Sequence, residues 1–556
     1  MLKKILYLIP LSLLLMVGCS EPTPSLDGVK ISGKVTYDYV PVDLSYGGIA
    51  KLDYAKVKKV ASKNVVVKAL DGGGKTLATT KTDKNGHYSF VVAKNVNVKV
   101  RVYARIYKED SWDVSVVDNT NMKALYVIEG KYHNSGEKHN IRNLHASSGW
   151  VGTDYQNPRV AAPFAILDSI NKVMNKVRQA DNDAKFPQLT VNWSVNNIAA
   201  GGDLESGQIV TSHYDGEQGL WILGDANSDT DEYDDHIIIH EWGHYFEDQF
   251  SRTDSIGGPH STGEELDIRL AFGEGWGNAL SGIATDNPIY FDTSGMSQSY
   301  GWYMDLESGA QKNPGWYAEG SVQRILYDLY DADTDESYDR VHLGFKPIYE
   351  AMIGKERNTK AFTSIFSFIH AIKSENSGKA DKIDRLVAYE QIHIISDSYG
   401  TDRKNTANSQ YTTPVYRDLR VGGVMNVCNR NNFGVYNKLG NRSYIKIHIA
   451  TAGNYRVDAH PSNGQITANT DPDILIYSTK YPHENIGISS EEGSSSDRLS
   501  IYLEQGDYLL DVYDASFDNS CYTISLNRVA NSYKAKEGVM AKPTVKRPLP
   551  KRQYAY

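Results

Sequence analysis

His240-Glu241-Trp242-Gly243-His244 is the stretch that decides how this chain is read. Two histidines four apart lie on one face of a helix about a turn apart, so their neutral imidazoles can hold a single Zn²⁺. The glutamate between them then sits beside the open coordination position, where it can take a proton from water. The pattern therefore predicts a helix-borne hydrolytic centre with one zinc ion per chain.

Such a centre needs a third protein ligand. The metzincin pattern requires Gly at 247 and His at 250, and the chain has Glu247 and Phe250, which excludes that branch. Further on, Leu270-Ala271-Phe272-Gly273-Glu274-Gly275-Trp276-Gly277-Asn278-Ala279-Leu280 is an apolar helical pattern carrying one carboxylate. His240, His244 and Glu274 form a His₂Glu set, the arrangement of a catalytic zinc that keeps one position open. Asn278 lies four residues beyond Glu274 on the same helical face, and its side-chain oxygen can accept the free ring N–H of a ligating histidine. Gly273, Gly275 and Gly277 each cost about 1 kcal/mol relative to Ala inside a helix, which points to two backbones brought close around the ion.

His240-Glu241-x-x-His244 followed by Gly273-Glu274-Gly275-Trp276 resembles the gluzincin metallopeptidases, and the second motif is most similar to the fungalysin family, relatives of thermolysin. The likeness covers residues 150–410 and is carried by the two motifs. It implies an α+β peptidase domain whose sheet edge, beside the metal helix, receives an extended peptide as an added strand. Of the β-rich runs at 189–195 and 220–223, the second is the expected edge. The resemblance places a carboxylate where this chain has Asn278. It also places a transition-state histidine within a stretch similar to Gly315-Trp316-Tyr317-Ala318-Glu319-Gly320-Ser321-Val322, where the matching residue is Tyr317. A tyrosine hydroxyl can donate the same bond to an oxyanion. His342 is a second candidate by spacing. The ligand set makes Glu241 the general base for a zinc-activated water attacking a peptide carbonyl.

His236 precedes His240 by four, too far along the helix axis to share the ion with His244, so it is expected in the core or first turn. Asp225-Ala226-Asn227-Ser228-Asp229-Thr230-Asp231-Glu232 alternates oxygen ligands like the start of a calcium loop, but lacks the glycine at the sixth place and a glutamate at the twelfth. A structural Ca²⁺ and a solvated acidic loop both remain open readings there.

The first residues have signal-peptide form: Lys3 and Lys4, an apolar run over 5–17 too short for an ordinary span, then Gly18-Cys19. Met16-Val17-Gly18-Cys19 resembles a bacterial lipoprotein box, which implies cleavage before Cys19 and lipid on that residue. The mature chain would be an exported, membrane-anchored lipoprotein of the outer membrane or cell surface. Lipid on one of the three cysteines leaves Cys428 and Cys521 as an even pair in an oxidising compartment. A bridge over so long a loop contributes about 4 to 5 kcal/mol in the chain-entropy model, although two buried thiols would satisfy the count as well.

A chain of 556 residues holds about three domains. Strand-like runs at 30–35, 65–70, 88–92 and 98–103, with an Asn85-Gly86 hairpin signal, resemble the carboxypeptidase regulatory-like sandwich. Asp71-Gly72-Gly73-Gly74 reads as a turn, since no nucleotide-binding context follows it. Residues 160–178, 322–330 and 361–372 have helical periodicity. Alternation returns in Gly453-Asn454-Tyr455-Arg456-Val457-Asp458, in Asp471-Pro472-Asp473-Ile474-Leu475-Ile476-Tyr477 and over 506–513, and this region resembles the bacterial pre-peptidase C-terminal domain. The expected order is a signal at 1–19, a linker at 20–28, a β-sandwich at 29–148, the zinc peptidase domain at 149–418, a second sandwich at 419–530 and a basic tail at 531–556.

A net charge of −9 leaves no cationic footprint for nucleic acid, so the expected partners are a peptide or protein substrate and the membrane reached through lipid. An endopeptidase is the leading reading. An aminopeptidase of the same clan would carry an amine-recognition run such as Gly-x-Met-x-Asn upstream of the zinc helix, and none is found. A surface binding or adhesion protein with a structural zinc would have no need of Glu241.

Overall fold

Alternation of small apolar and polar residues builds the first layers. In the strand Gly28–Tyr39, the odd-numbered residues from Val29 to Tyr37 point inward, and in Asn97–Lys108 Val98, Val100, Val102, Ala104 and Ile106 do the same. The computed structural model describes residues 28–308, 312–332, 338–401, 412–462, 470–490 and 495–529. The signal segment with Cys19, the linker up to residue 27 and the expected basic tail lie outside the described residues.

Two sheets occupy the N-terminal part. Gly28–Tyr39 pairs with Lys58–Ala61, His87–Ala93, Asn140–Ile141 and Leu144–Ala146. The other sheet runs in the order His213–Asp215, Gly219–Ile222, Leu189–Trp193, Trp112–Asp118, Asn97–Lys108, Val65–Leu70, Thr76–Lys81. The Asn85-Gly86 turn was expected to join a paired hairpin, and it does not. Thr76–Lys81 before it pairs with Val65–Leu70, whereas His87–Ala93 after it pairs with Gly28–Tyr39. The turn passes the chain from one sheet to the other, with Gly86 at φ +81° close against the Val35 carbonyl, where a Cβ would clash.

The sheet also crosses the boundary expected at 148/149. Trp112–Asp118 pairs in parallel with Leu189–Trp193, which pairs in parallel with Gly219–Ile222. Parallel neighbours need a long crossover, and the segment between the first two carries helix α1, Ala162–Ala180, which packs on the sheet. The first β-rich unit and the helical unit therefore share one sheet and one apolar core. A second link comes from the hairpin Val42–Tyr46 and Ile49–Leu52, whose second strand pairs with Gly301–Asp305, itself paired with Ile289–Asp292.

Helices α2 (Asp235–Phe250), α3 (Ile268–Thr285) and α4 (Glu319–Asp328) follow the sheet and pack in sequence. Helix α3 is capped by Asp267, which accepts the Arg269 N–H, and every residue from Ile268 to Ile283 is buried, as an all-round apolar helix requires. Trp242, Phe246 and Trp276 pack together at the α2–α3 contact with no exposed surface, and truncating such an aromatic to Ala costs about 3–5 kcal/mol. Three further helices, Phe345–Ala351, Ile365–Glu375 and Ala380–Tyr389, complete the unit.

The C-terminal part is two facing antiparallel-rich sheets around a separate apolar core. One holds Tyr416–Leu419, Arg442–Ile449, Gly506–Asp514, Pro472–Ser478 and Asn485–Ser489; the other Val424–Asn429, Ser520–Arg528, Gly453–Pro461 and Asp497–Leu503. A disulfide joins Cys428 to Cys521, which are register partners on neighbouring strands of the second sheet. No helix among the described residues is long and apolar enough to cross a membrane.

Candidate metal centre

Helices α2 and α3 approach so closely that their glycines decide the geometry. A Cβ on Gly243 would lie 3.0 Å from the Gly277 Cα, and one on Gly277 would lie 2.9 Å from Nδ1 of His240. The three glycines expected to admit a close approach divide the work: Gly277 receives the His240 ring, Gly273 leaves space beside the Glu247 carboxylate, and Gly275 faces Val322 and the Glu319 carbonyl of α4.

Across that contact, three side chains meet. His240 Nε2 lies 3.2 Å from His244 Nε2 and 3.3 Å from Glu274 Oε2, and His244 Nε2 lies 3.7 Å from the same oxygen. The opposite ring nitrogens are engaged elsewhere. His240 Nδ1 donates to Asn278 Oδ1 at 2.8 Å, and Asn278 Nδ2 in turn donates to Gln323 Oε1 at 2.9 Å, which fixes the amide's orientation. His244 Nδ1 donates to Glu247 Oε2 at 3.3 Å. With both Nδ1 atoms protonated, each Nε2 presents a lone pair, so two nitrogen lone pairs and a carboxylate oxygen converge on one region. A soft-to-borderline divalent cation with N and O ligands, Zn²⁺, fits that donor set.

Glu241 is half-buried on α2, and its Oε2 accepts the backbone N–H of Tyr214 at 2.9 Å. Tyr214 is the centre of His213–Asp215, the outermost strand of the long sheet. The edge is therefore this strand and not 220–223, which is enclosed between His213–Asp215 and Leu189–Trp193. The short run 213–215 has too few residues to announce itself by alternation.

Electrostatics keep Glu274 charged. Burial alone would raise its carboxyl, but the charge of His260 beside it, foremost, holds it well below the usual carboxylate range. His260 Nε2 lies 3.2 Å from Glu274 Oε2 and 3.6 Å from Glu319 Oε2. Burial works against its charge, yet Glu274 and Glu319 push the imidazole up to about 10. Burial pushes Glu247 up, and His244 beside it opposes that.

Tyr317 and His342, the two expected oxyanion donors, each have a backbone carbonyl as partner. Tyr317 is 1% exposed, packed against Trp316, with its hydroxyl directed to the Pro314 carbonyl at 3.5 Å. His342 is on the surface with Nδ1 at the Asp331 carbonyl. The side chain brought against Glu274 is instead His260, from the irregular segment between α2 and α3, where no periodicity marks a residue for notice. Glu247 was within reach of sequence reasoning, since it lies three residues beyond His244 on the same helix. His236 is in the core, as expected, its Nε2 at the Asn287 carbonyl.

Residues 171–383 match the family described as the Mycolysin C-terminal domain, a span that is less than half of the chain and that includes His240, Glu241, His244 and Glu274. No curated protein matches the chain. Among solved structures, the chain is similar to the pre-peptidase C-terminal domain of a collagenase from Bacillus anthracis, at 10% identity over 20% of this chain and 93% of that one, with a TM-score of 0.16. It is also similar to the Yersinia pseudotuberculosis-derived mitogen (10%, 21% and 94%, 0.15) and to the Aeromonas hydrophila lysozyme inhibitor PliG (12%, 20% and 96%, 0.14). Likenesses this slight carry no argument. The family match associates the chain with secreted proteases.

Proposed function

We propose that this protein is a zinc-dependent metalloendopeptidase that works outside the cytoplasm and is held to a membrane by lipid on Cys19. One observation carries the reading: His240 Nε2, His244 Nε2 and Glu274 Oε2 lie within 3.7 Å of one another while Glu241 is tied to the edge of the sheet. A zinc ion held there acidifies water and polarises a carbonyl.

The chain's own groups supply the rest. Glu241 accepts the proton of the attacking water and returns it to the leaving amine. Its bond from Tyr214 keeps one carboxylate oxygen on the edge strand, so a peptide added beside His213–Asp215 lies next to the base. Asn278 and Glu247 fix the rings of His240 and His244, and His260 holds the Glu274 carboxylate in place.

Full-length protein loaded with zinc and offered two sets of peptides, one blocked at both ends and one with free ends, tests the reading. Internal cleavage, read by mass spectrometry, is the expected result. Release of single residues from free amino ends only would make it an aminopeptidase, and no hydrolysis of any peptide would favour a binding protein. Growth with a clickable fatty acid should label the wild-type chain and leave Cys19→Ser unlabelled.

A further inference from the structure

A second cluster of acceptors lies outside the zinc centre. Asp229, Asp231 and Asp292 bring one carboxylate oxygen each to within 4.8 Å of the others. The first two come from the segment leading into α2, the third from the end of the strand Ile289–Asp292. Nearby residues of the acidic loop are engaged otherwise: Asp225 accepts the Asn227 N–H of its own turn, and Glu232 pairs with Arg159. The 225–232 segment thus folds as a tight antiparallel pair, Gly224–Asp225 with Asp229–Thr230, and not as a calcium loop in sequence order.

A group of acids is common on a protein surface, but in this one each residue has a carboxylate oxygen that is buried and unsatisfied. Asp231 is 3% exposed; one of its oxygens accepts the Ser212 hydroxyl, and Oδ1 has no partner. Oδ1 of Asp229 and Oδ1 of Asp292 are likewise buried without partners. Gln298 has no exposed surface and a side-chain oxygen without a partner. It belongs to the segment 294–298, which lies against Ser228 and Asp229 through the Asp229–Ser294 bridge and the Gly295 N–H to the Ser228 carbonyl. No arginine or lysine among the described residues pairs with the three carboxylates. Buried like charges at this spacing need either protons or a cation.

We propose that Asp229, Asp231 and Asp292 bind one Ca²⁺, which ties the start of α2 to the strand Ile289–Asp292. Oxygen-only ligands of this charge suit a hard divalent ion, and a flexible coordination number suits Ca²⁺ over the smaller Mg²⁺. The tie has a consequence for the zinc centre. The Asp231 backbone carbonyl accepts the Asp234 N–H in the turn that opens α2, and Tyr290, two residues before Asp292, packs edge-on to the His240 ring at 6.2 Å. The ion thus joins the helix bearing both histidines to the strand covering one of them.

The test uses the full chain, stripped of metal, reloaded with one equivalent of Zn²⁺ and then titrated with CaCl₂ alone. Equilibrium dialysis should find one bound Ca²⁺ per chain, and the Tm should rise by a few degrees as the site fills. Asp292→Asn and Asp231→Asn should each lose both responses and should melt higher than the wild type in the absence of Ca²⁺, because repulsion is relieved. Should Asp231→Asn not fold, Asp292→Asn, on a part-exposed residue, carries the comparison. A wild-type chain that binds no Ca²⁺ at about 10 mM would mean that the carboxylates share protons, and a variant that binds as the wild type does would remove these residues from the site; either overturns the proposal.

Discussion

Helix α3 carries two buried polar clusters, one at each end of its first two turns, and they are built on opposite rules. At its start, Asp267 and Arg269 meet the C-terminal sandwich: Arg269 donates to Asp267 and Asp511, Arg442 also donates to Asp511, and the Tyr444 hydroxyl donates to Asp267. Two arginines answer two aspartates. Burial raises the Asp267 carboxyl, but Arg269 outweighs it and holds it below its ordinary value. At Glu274, one turn and a half later, the two facing imidazoles offer lone pairs beside the carboxylate, and His260 alone donates to the three acceptors. Burial is the same in both places, so burial does not mark a site. Acceptors that converge with fewer donors than they need do.

The comparison breaks first at the zinc centre. Glu274→Ala should lose bound zinc and peptidase activity together, the largest effect expected, checked by metal analysis beside a peptide assay. Glu241→Gln leaves the three ligands intact, so zinc should stay near one per chain while kcat falls about 10²- to 10⁴-fold. Undiminished turnover in that variant would remove Glu241 as the base. In the balanced cluster the outcome should be reversed. Arg269→Ala leaves Asp267 and Asp511 short of a buried partner, which costs about 3–5 kcal/mol in denaturant unfolding, while turnover per folded molecule is retained.

Histidines one turn apart on α2 extend the contrast to pH. His236 is enclosed by Tyr290, Phe291 and the Asn287 carbonyl, and burial pushes its imidazole down to about 4. Its folded value lies below the unfolded value of about 6.5, so the unfolded chain takes up more protons between those limits. Stability is therefore complete above pH 6.5 and declines as pH falls toward 4, by up to about 3 kcal/mol. His236→Phe should flatten that part of the pH–stability curve; an unchanged slope would mean that other groups govern it.

The residues of the candidate metal centre were legible because helical periodicity converts spacing into direction, and His240, His244, Glu274 and Asn278 all sit on helices. What escaped was set by contacts distant in sequence. His260 reaches Glu274 from an irregular segment, Asp292 joins Asp229 across 63 positions, and the edge strand His213–Asp215 is three residues long. The strand runs at 65–70 and 98–103 were readable by alternation, but not that their sheet continues through Trp112–Asp118 into Leu189–Trp193, since local pattern does not name a strand's neighbour.

Asn278 is the finest probe of the acceptor rule, because it touches no metal. Its Oδ1 accepts from His240 Nδ1 and its Nδ2 donates to Gln323, so the amide selects the ring tautomer that turns a lone pair toward His244 and Glu274. Asn278→Ala should weaken zinc affinity about 10- to 100-fold, equivalent to about 1.4 to 2.7 kcal/mol, measured by competition with a chelating dye. Asn278→Asp keeps an acceptor at the same atom and adds charge, so it should bind zinc at least as tightly as the wild type. If Ala and Asp weaken zinc equally, packing around Gln323 governs the site and not the hydrogen bond to His240.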